Sequence, residues 1–367
     1  MRLLALVQKG HGIAPNQRFR LEQWAPILAR DHGIAVTFDA FESPQLTQVL
    51  YRPGHAAEKV RLTVAGAVRR WRGRRRAFGY DAVVILREAS LVGGAWFERW
   101  LAARGIPFVY DFDDAIWHWD RGANGVMSLA RVPWKVGTIC ALASAVTVGN
   151  AYLADFARAH NANVAVVRTS IDAATYPEMP PPAPGAPFTV VWTGSHSTLA
   201  HLAGVRSALE ALGRRLPVRL RAICDVAPPT FDGVELDFVP WTAAREAADL
   251  AAGHVGIMPL PDTPLARGKC GCKALQYMAI GRPAVVTPVG INAEIVRNGT
   301  NGRWASTPEE WVDVLEQLAR DPAERARLGA AARETVLAGY TADASAAAFA
   351  RVVRHVVDAR VRAGSQR

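Results

Sequence analysis

Short runs of β-branched and aliphatic residues alternate along the chain with amphipathic segments of helical length. The runs fall at residues 3–7, 35–38, 82–86, 108–110, 145–148 and 164–167. Each is too short for a helix and suits a buried, pleated ribbon. A strand, a helix-length crossover and another strand make a βαβ unit, and its repetition predicts a parallel sheet. Residues 176–187 then interrupt the rhythm with proline and alanine. Proline removes a backbone donor and fixes φ, so this stretch continues neither a helix nor a central strand and reads as a linker. Beyond it the alternation restarts, with strands expected at 188–192, 218–223, 234–238, 254–259 and 284–287. Three helical patterns close the chain, at 308–318, 322–338 and 342–361. The expected fold class is α/β. Two parallel-sheet domains, 1–175 and 188–340, face a cleft across the linker 176–187, and a helix in 341–367 returns to the first domain. Open α/β sheets bind ligands at the carboxyl ends of their strands, so function is expected in those loops.

Composition narrows the picture without deciding it. The chain has 367 residues, 50% of them hydrophobic, enough apolar side chains for two cores. Lysine and arginine number 43 against 33 acidic residues, an excess of ten that favours phosphates, acidic lipid surfaces or nucleic acid as partners. The opening apolar run, 3–7, lacks a following small-residue cleavage pattern and reads as a first strand, which places the chain in the cytoplasm. No segment reaches the roughly 20 apolar residues of a spanning helix, so membrane contact would be peripheral. Cys140, Cys224, Cys270 and Cys272 are too few and scattered for a disulfide framework, and reduced thiols are expected. The lone C-G-C at 270–272 has no paired Cys or His elsewhere, so no metal is expected.

The most informative stretch is 259–290, P-L-P-D-T-P-L-A-R-G-K-C-G-C-K-A-L-Q-Y-M-A-I-G-R-P-A-V-V-T-P-V-G. It reads as strand, loop, helix, glycine stop and strand. Gly281 suits a helix C-terminus and Pro283 bars continuation, which predicts a helix over 271–280. Arg267, Lys269 and Lys273 then crowd its N-terminus. Cations there oppose the helix dipole by about 0.3–1 kcal/mol each unless an anion lies among them, and a diphosphate is the natural one. The alternative is a set of solvated surface cations.

This block resembles the donor-binding region of GT-B glycosyltransferases, in particular the large retaining family 4-like group of bacterial polysaccharide and lipopolysaccharide sugar transferases. The resemblance implies two Rossmann-like domains and a nucleoside-diphosphate sugar as substrate, with no separate cofactor and no metal. The family's E-x7-E pattern places one Glu near the donor sugar and a second on the ribose. Gly268 and Gln276 stand at those positions here. Gln276 can still hydrogen-bond ribose hydroxyls. Cys270, Gly271 and Cys272 form the donor loop, and Lys269 and Lys273 are the catalytic cations that meet the leaving diphosphate. Three further segments resemble the same family. In V-V-W-T-G-S-H-S, 190–197, Gly194, Ser195 and Ser197 offer amides and hydroxyls to phosphate. In F-V-P-W, 238–241, Trp241 neighbours the nucleotide base or simply packs. In V-G-I-N-A-E-I-V, 289–296, Asn292 and Glu294 either cap a helix or touch the donor.

On the other domain, K-G-H-G-I-A-P-N-Q-R-F-R, 9–20, follows the first strand. Gly12 and Arg18 are assigned to the donor, and His11 and Arg20 to the acceptor. The run V-Y-D-F-D-D-A-I-W, 109–117, sets Asp113 and Asp114 beside Trp117. Clustered carboxylates repel and usually serve a partner, here acceptor hydroxyls or neighbouring arginines. Asp113 and Asp114 are therefore catalytic candidates, required as a base if the reaction inverts. Arg87 and Glu88 border the acceptor or pair with each other. The acceptor itself is expected to be lipid-linked or saccharide.

Residues 69–76 hold six arginines and one tryptophan, Arg69, Arg70, Trp71, Arg72, Arg74, Arg75 and Arg76. Such a segment between helices suits an anionic membrane face on the inner side of the cell membrane. No nucleic-acid module accompanies it, so no nucleic acid is expected. Two other functions fit the altered E-x7-E region: a non-catalytic sugar-nucleotide-binding subunit, or a sugar-nucleotide epimerase on the same fold.

Overall fold

The computed structural model describes residues 1–50, 52, 54–118 and 132–365. The chain divides into two compact units, Met1–Thr169 with Ala342–Arg367, and Ser170–Thr341.

The first unit is built on β1 (Arg2–Val7), β2 (Ala35–Ala40), β3 (Ala82–Leu86), β4 (Phe108–Phe112), β5 (Ala145–Val148) and β6 (Val164–Val166). They form one parallel sheet in the order β2-β1-β3-β4-β5-β6. β3, β4 and β5 are buried along their whole length. That burial is why they read as continuous apolar runs with no alternation. The terminal helix Ala342–Ser365 packs on Gln23–His32, with Phe349 against Trp24 at a ring separation of 5.6 Å. This is the returning helix expected from the sequence.

The second unit carries β7 (Phe188–Thr193), β8 (Val218–Cys224), β9 (Glu235–Pro240), β10 (Val255–Met258), β11 (Ala284–Val286) and β12 (Gly302–Trp304). They too are parallel, in the order β12-β11-β10-β7-β8-β9. The order reverses at β7, the central strand, so the crevice at its carboxyl end is the place for a ligand. Two parallel sheets flanked by helices agree with the expected α/β class. The edge strand β12 escaped the sequence reading, because Gly-Arg-Trp has no β-branched run and is held as a strand by pairing with β11.

Two other segments make contacts that the sequence did not show. The proline-rich stretch 176–187 opens on Tyr176, which is buried, and its Pro180 carbonyl accepts from Arg282. The arginine run does not lie between helices. Arg69, Arg70 and Arg72 end the helix Ala56–Arg72, and Arg74, Arg75 and Arg76 sit in the 3-10 turn Gly73–Gly79. Arg70 is buried and donates to the carbonyls of Val7, Asp39 and Ala89. Arg69 donates to the carbonyls of Ala40 and Phe41, and Arg76 pairs with Asp39 at 2.6 Å. Half of the run therefore makes contacts that hold the fold together, with Arg70 buried and Arg69 and Arg76 still exposed.

Among the described residues no helix is long and apolar enough to cross a membrane.

Candidate active site

In the second unit the site is built at the carboxyl ends of β7 and β8 and at the start of the helix Cys272–Ala279. Gly271, at the N-cap, has φ +69°, and a Cβ there would land 2.3 Å from Ile295 Cδ1. Only glycine fits. A Gly N-cap brings no side-chain hydrogen bond, so the first amides of this helix are not closed off by their own cap.

Lys273 lies in that first turn. Its ammonium donates to Thr198 Oγ1 at 3.5 Å and sits 5.0 Å over the Trp192 ring. Burial, and next the charge of Lys269, lower its pKa to about 8. Among the described residues no carboxylate pairs with it. Arg267, the third expected cation, is bound to Asp262 at 2.7 and 3.0 Å. Its charge is spent on the surface, leaving Lys269 and Lys273 as the cationic pair.

The loop after β7 turns at Gly194, where a Cβ would land 2.4 Å from the Trp192 ring. The sequence assigned its amides to phosphate, but they are already bound. Gly194 N–H donates to Ile223 O at 3.0 Å, and Ser195 N–H to Thr198 Oγ1 at 3.0 Å. The Ser195 hydroxyl takes part in a capping box with Thr198 and lies 2.8 Å from the Ser197 hydroxyl. Next to them lies His196, which the sequence reading did not single out. Its Nδ1 lies 2.6 Å from Asp225 Oδ2 at the end of β8, and its backbone N–H donates to Asp225 Oδ1 at 2.6 Å. The only signal in the sequence was the adjacency of each residue to the end of a strand.

Gln276 is corrected, and half-buried Trp241 is tied to the same network through its indole nitrogen. Gln276 is buried and donates to Tyr176 OH at 2.9 Å. That hydroxyl donates to Glu246 Oε2 at 2.5 Å, and Trp241 Nε1 donates to Glu246 Oε1 at 2.7 Å. The four residues close a network inside the unit, and Gln276 does not present its amide to a ribose. Asn292 is also buried and donates to Thr287 O at 3.2 Å, whereas Glu294 is exposed in the first turn of Asn292–Ile295. Cys270 is buried and Cys272 half-buried, and neither is in a disulfide.

In the first unit the loop after β1 is stapled by two buried residues. Gln17 exchanges hydrogen bonds with the Lys9 backbone at 2.9 and 3.1 Å, and Glu22 accepts from Gly12 N–H at 2.9 Å. His11 stands exposed, 3.7 Å from Glu22. Residues Arg18–Glu22 form one π-helical turn, an irregularity frequent at functional sites. Arg18 is half-buried with its guanidinium 5.1 Å over Phe19. Arg20 is corrected: it is fully buried, gripping Asp111 at 2.7 and 2.5 Å and Val167 O at 2.8 Å. Thr147 completes Asp111 at 2.6 Å. A ligand at the surface does not reach this pair.

Arg87 and Glu88 do not pair with each other. Glu88 is buried against Lys135 at 2.6 Å, which removes it from the acceptor side. Arg87 follows β3 directly with φ +62°, a costly conformation for a non-glycine that tends to mark functional sites. Its guanidinium reaches Asp113 at 2.7 Å and Asp114 at 3.6 Å. The two carboxylates thus share one cation and stay partly exposed. Trp117 stacks on Phe156 at 3.8 Å and a 4° tilt. Among the described residues no group of three His, Cys, Asp or Glu gathers to hold a metal ion.

Comparison with known proteins adds the following. Residues 206–351 match a family model described as glycosyl transferase-like. The fold is similar to that of sucrose-phosphate synthase from Thermosynechococcus elongatus, with 16% identity over 98% of this chain and 100% of that one, and a TM-score of 0.70. It is similar to HepE from Anabaena, solved with UDP and glucose, with 15% identity over 97% of this chain and 100% of that one, TM-score 0.64. A glycosyltransferase from Rickettsia africae is 11% identical over 97% and 98% of the two chains, TM-score 0.65. No curated protein matches.

Proposed function

We propose, from the premise that this chain is a glycosyltransferase of the GT-B fold, that it moves a hexose-type sugar from a nucleoside-diphosphate donor to a lipid-linked or polysaccharide acceptor of the cell envelope. The reaction retains the donor's anomeric configuration and runs on the cytoplasmic face of the cell membrane. One observation carries the donor assignment: Lys273 is held partly buried beside an uncapped helix start with a second lysine as neighbour, its pKa lowered to about 8. A buried cation in that position gains an electrostatic partner when a diphosphate arrives.

In the proposed reaction the bond from the sugar C1 to the diphosphate oxygen breaks, and a bond from the acceptor oxygen to C1 forms on the same face. The acceptor proton passes to the departing diphosphate. Lys269 and Lys273 stabilise the charge that develops on that leaving group. Asp113 and Asp114, held by Arg87, bind acceptor hydroxyls. The HepE complex with UDP and glucose supports a uridine diphosphate sugar as the first donor to try.

The test is transfer of labelled sugar from UDP-, GDP-, dTDP- and ADP-linked donors into an extract of cell-envelope lipids. Label should enter the lipid fraction with the parent and not with Lys269→Ala, Lys273→Ala. Donor binding with no transfer to any acceptor would favour the non-catalytic subunit, a reading supported by Gly268 and Gln276 in place of the two carboxylates. Label retained on a free, altered nucleotide sugar would favour an epimerase.

A further inference from the structure

The helix Ala56–Arg72 has a buried face and, apart from it, an exposed apolar stripe. Thr63, Gly66 and the stem of Arg70 face inward and are buried. Val60, Val64, Val68 and Trp71 lie on the outer side, each 39–55% exposed. At about 100° per residue, these four fall within one stripe roughly 100° wide. Phe78 in the following turn is 55% exposed as well. These five make up nearly half of the eleven exposed large hydrophobics among the described residues, all within residues 60–78. Such clustering is not what a solvated face shows, where single apolar side chains scatter.

The stripe continues through aromatic contacts. Trp71 meets Trp96 edge-on at 5.2 Å, Arg74 lies 4.1 Å over Trp71 and 5.7 Å over Trp100, and Trp100 meets Phe78 at 5.7 Å. Between them an open cavity of about 430 Å³ is lined by Ala67, Val68, Trp71, Arg72 and Trp96. Arg61 and Arg72 are exposed along one edge of the stripe, and Arg75 is exposed beyond its end. Apolar and indole side chains bordered by guanidinium groups match the boundary between headgroups and acyl chains of an anionic bilayer.

We propose that this face seats the protein on an anionic lipid bilayer, with Val60, Val64, Val68 and Trp71 entering the acyl boundary and Arg61, Arg72 and Arg75 at the phosphates. The proposal rests on the membrane placement above and differs from a purely arginine-based contact. Arg70 is buried and Arg69 and Arg76 are hydrogen-bonded or paired within the unit, so the contact combines the apolar stripe with the cations at its edge.

The experiment is flotation of the full chain with vesicles of phosphatidylcholine alone, and of phosphatidylcholine and phosphatidylglycerol in equal parts. The parent should float with the mixed vesicles and much less with phosphatidylcholine. Val64→Asp, at an exposed position, should keep its Tm and its protection by diphosphate while its partition falls at least about tenfold. Arg61→Ala with Arg72→Ala should lower partition about thirtyfold, from roughly 1 kcal/mol per cation at the surface. If the parent fails to float, both the membrane placement and this face are wrong. If the parent and Val64→Asp float equally, the face is wrong and the placement stands. A lipid-free dimer of the parent that Val64→Asp abolishes would assign the stripe to a second copy of the chain and overturn the proposal.

Discussion

Replacing Lys273 by methionine is expected to raise stability and weaken diphosphate binding at once. Burial, and after it Lys269, lower the Lys273 pKa from 10.5 to about 8 in the folded protein. That difference corresponds to at most about 3 kcal/mol against the charged form. The side chain still reaches solvent, so screening brings the net cost to about 1 kcal/mol. Methionine keeps the unbranched stem over Trp192 and removes the charge, which should lift the Tm of the second unit by roughly 2–4 °C. The sign with pH follows from the lowered folded value. The cost of the ammonium is full below about pH 8 and disappears as pH rises to 10.5, so the advantage of the variant fades over that interval.

Binding moves the opposite way. A charge-assisted contact to phosphate is worth about 1.5–3 kcal/mol, so Kd should weaken by roughly ten- to a hundredfold. At a diphosphate concentration about 100 times the parent Kd, the parent gains about 2.7 kcal/mol of protection and the variant far less. In the parent the protection should also decline above pH 8, as the free protein loses the Lys273 proton. Differential scanning calorimetry with UDP, GDP, dTDP and ADP reads both effects. A variant that is protected as well as the parent, with the same pH profile, would refute the placement of the diphosphate at this helix.

Three further outcomes are expected. His254, which accepts from Thr189 N–H at 3.0 Å, has its pKa lowered by burial from 6.5 to about 4, so the protein should lose up to about 3 kcal/mol as pH falls from 6.5 to 4; denaturant titrations of parent and His254→Gln across that range would show it, with a flatter response in the variant. Tyr176→Phe leaves Gln276 and Glu246 without their shared hydroxyl and should cost about 1–3 kcal/mol in urea denaturation while Kd for the diphosphate stays unchanged. Arg87→Ala releases Asp113 and Asp114 and should raise the acceptor KM several-fold in the transfer assay with diphosphate protection intact.

Local sequence carried much of this protein. Short β-branched, aliphatic and aromatic runs located eleven of twelve strands, most plainly where a strand such as β3, β4 or β5 is buried on both faces and needs continuous apolar side chains. Gly281 and Pro283 bounded the helix Cys272–Ala279, since a φ of +78° and the loss of an N–H are local constraints. The cations at that helix start were equally legible from spacing.

What tertiary structure alone decided is which polar groups are already committed. Arg18 and Arg20 are two residues apart in one motif, yet Arg20 is sealed against Asp111, 91 positions away, while Arg18 stays half-buried. Gln276 looked available for a ribose until the Tyr176 hydroxyl, 100 positions earlier, was brought to it. Trp71 and Arg70 are neighbours, but a helix turns one outward and the other into the fold. Strand and helix signals act over a few residues, whereas a buried polar group must find its partner wherever the chain folds back, and no local pattern encodes that choice.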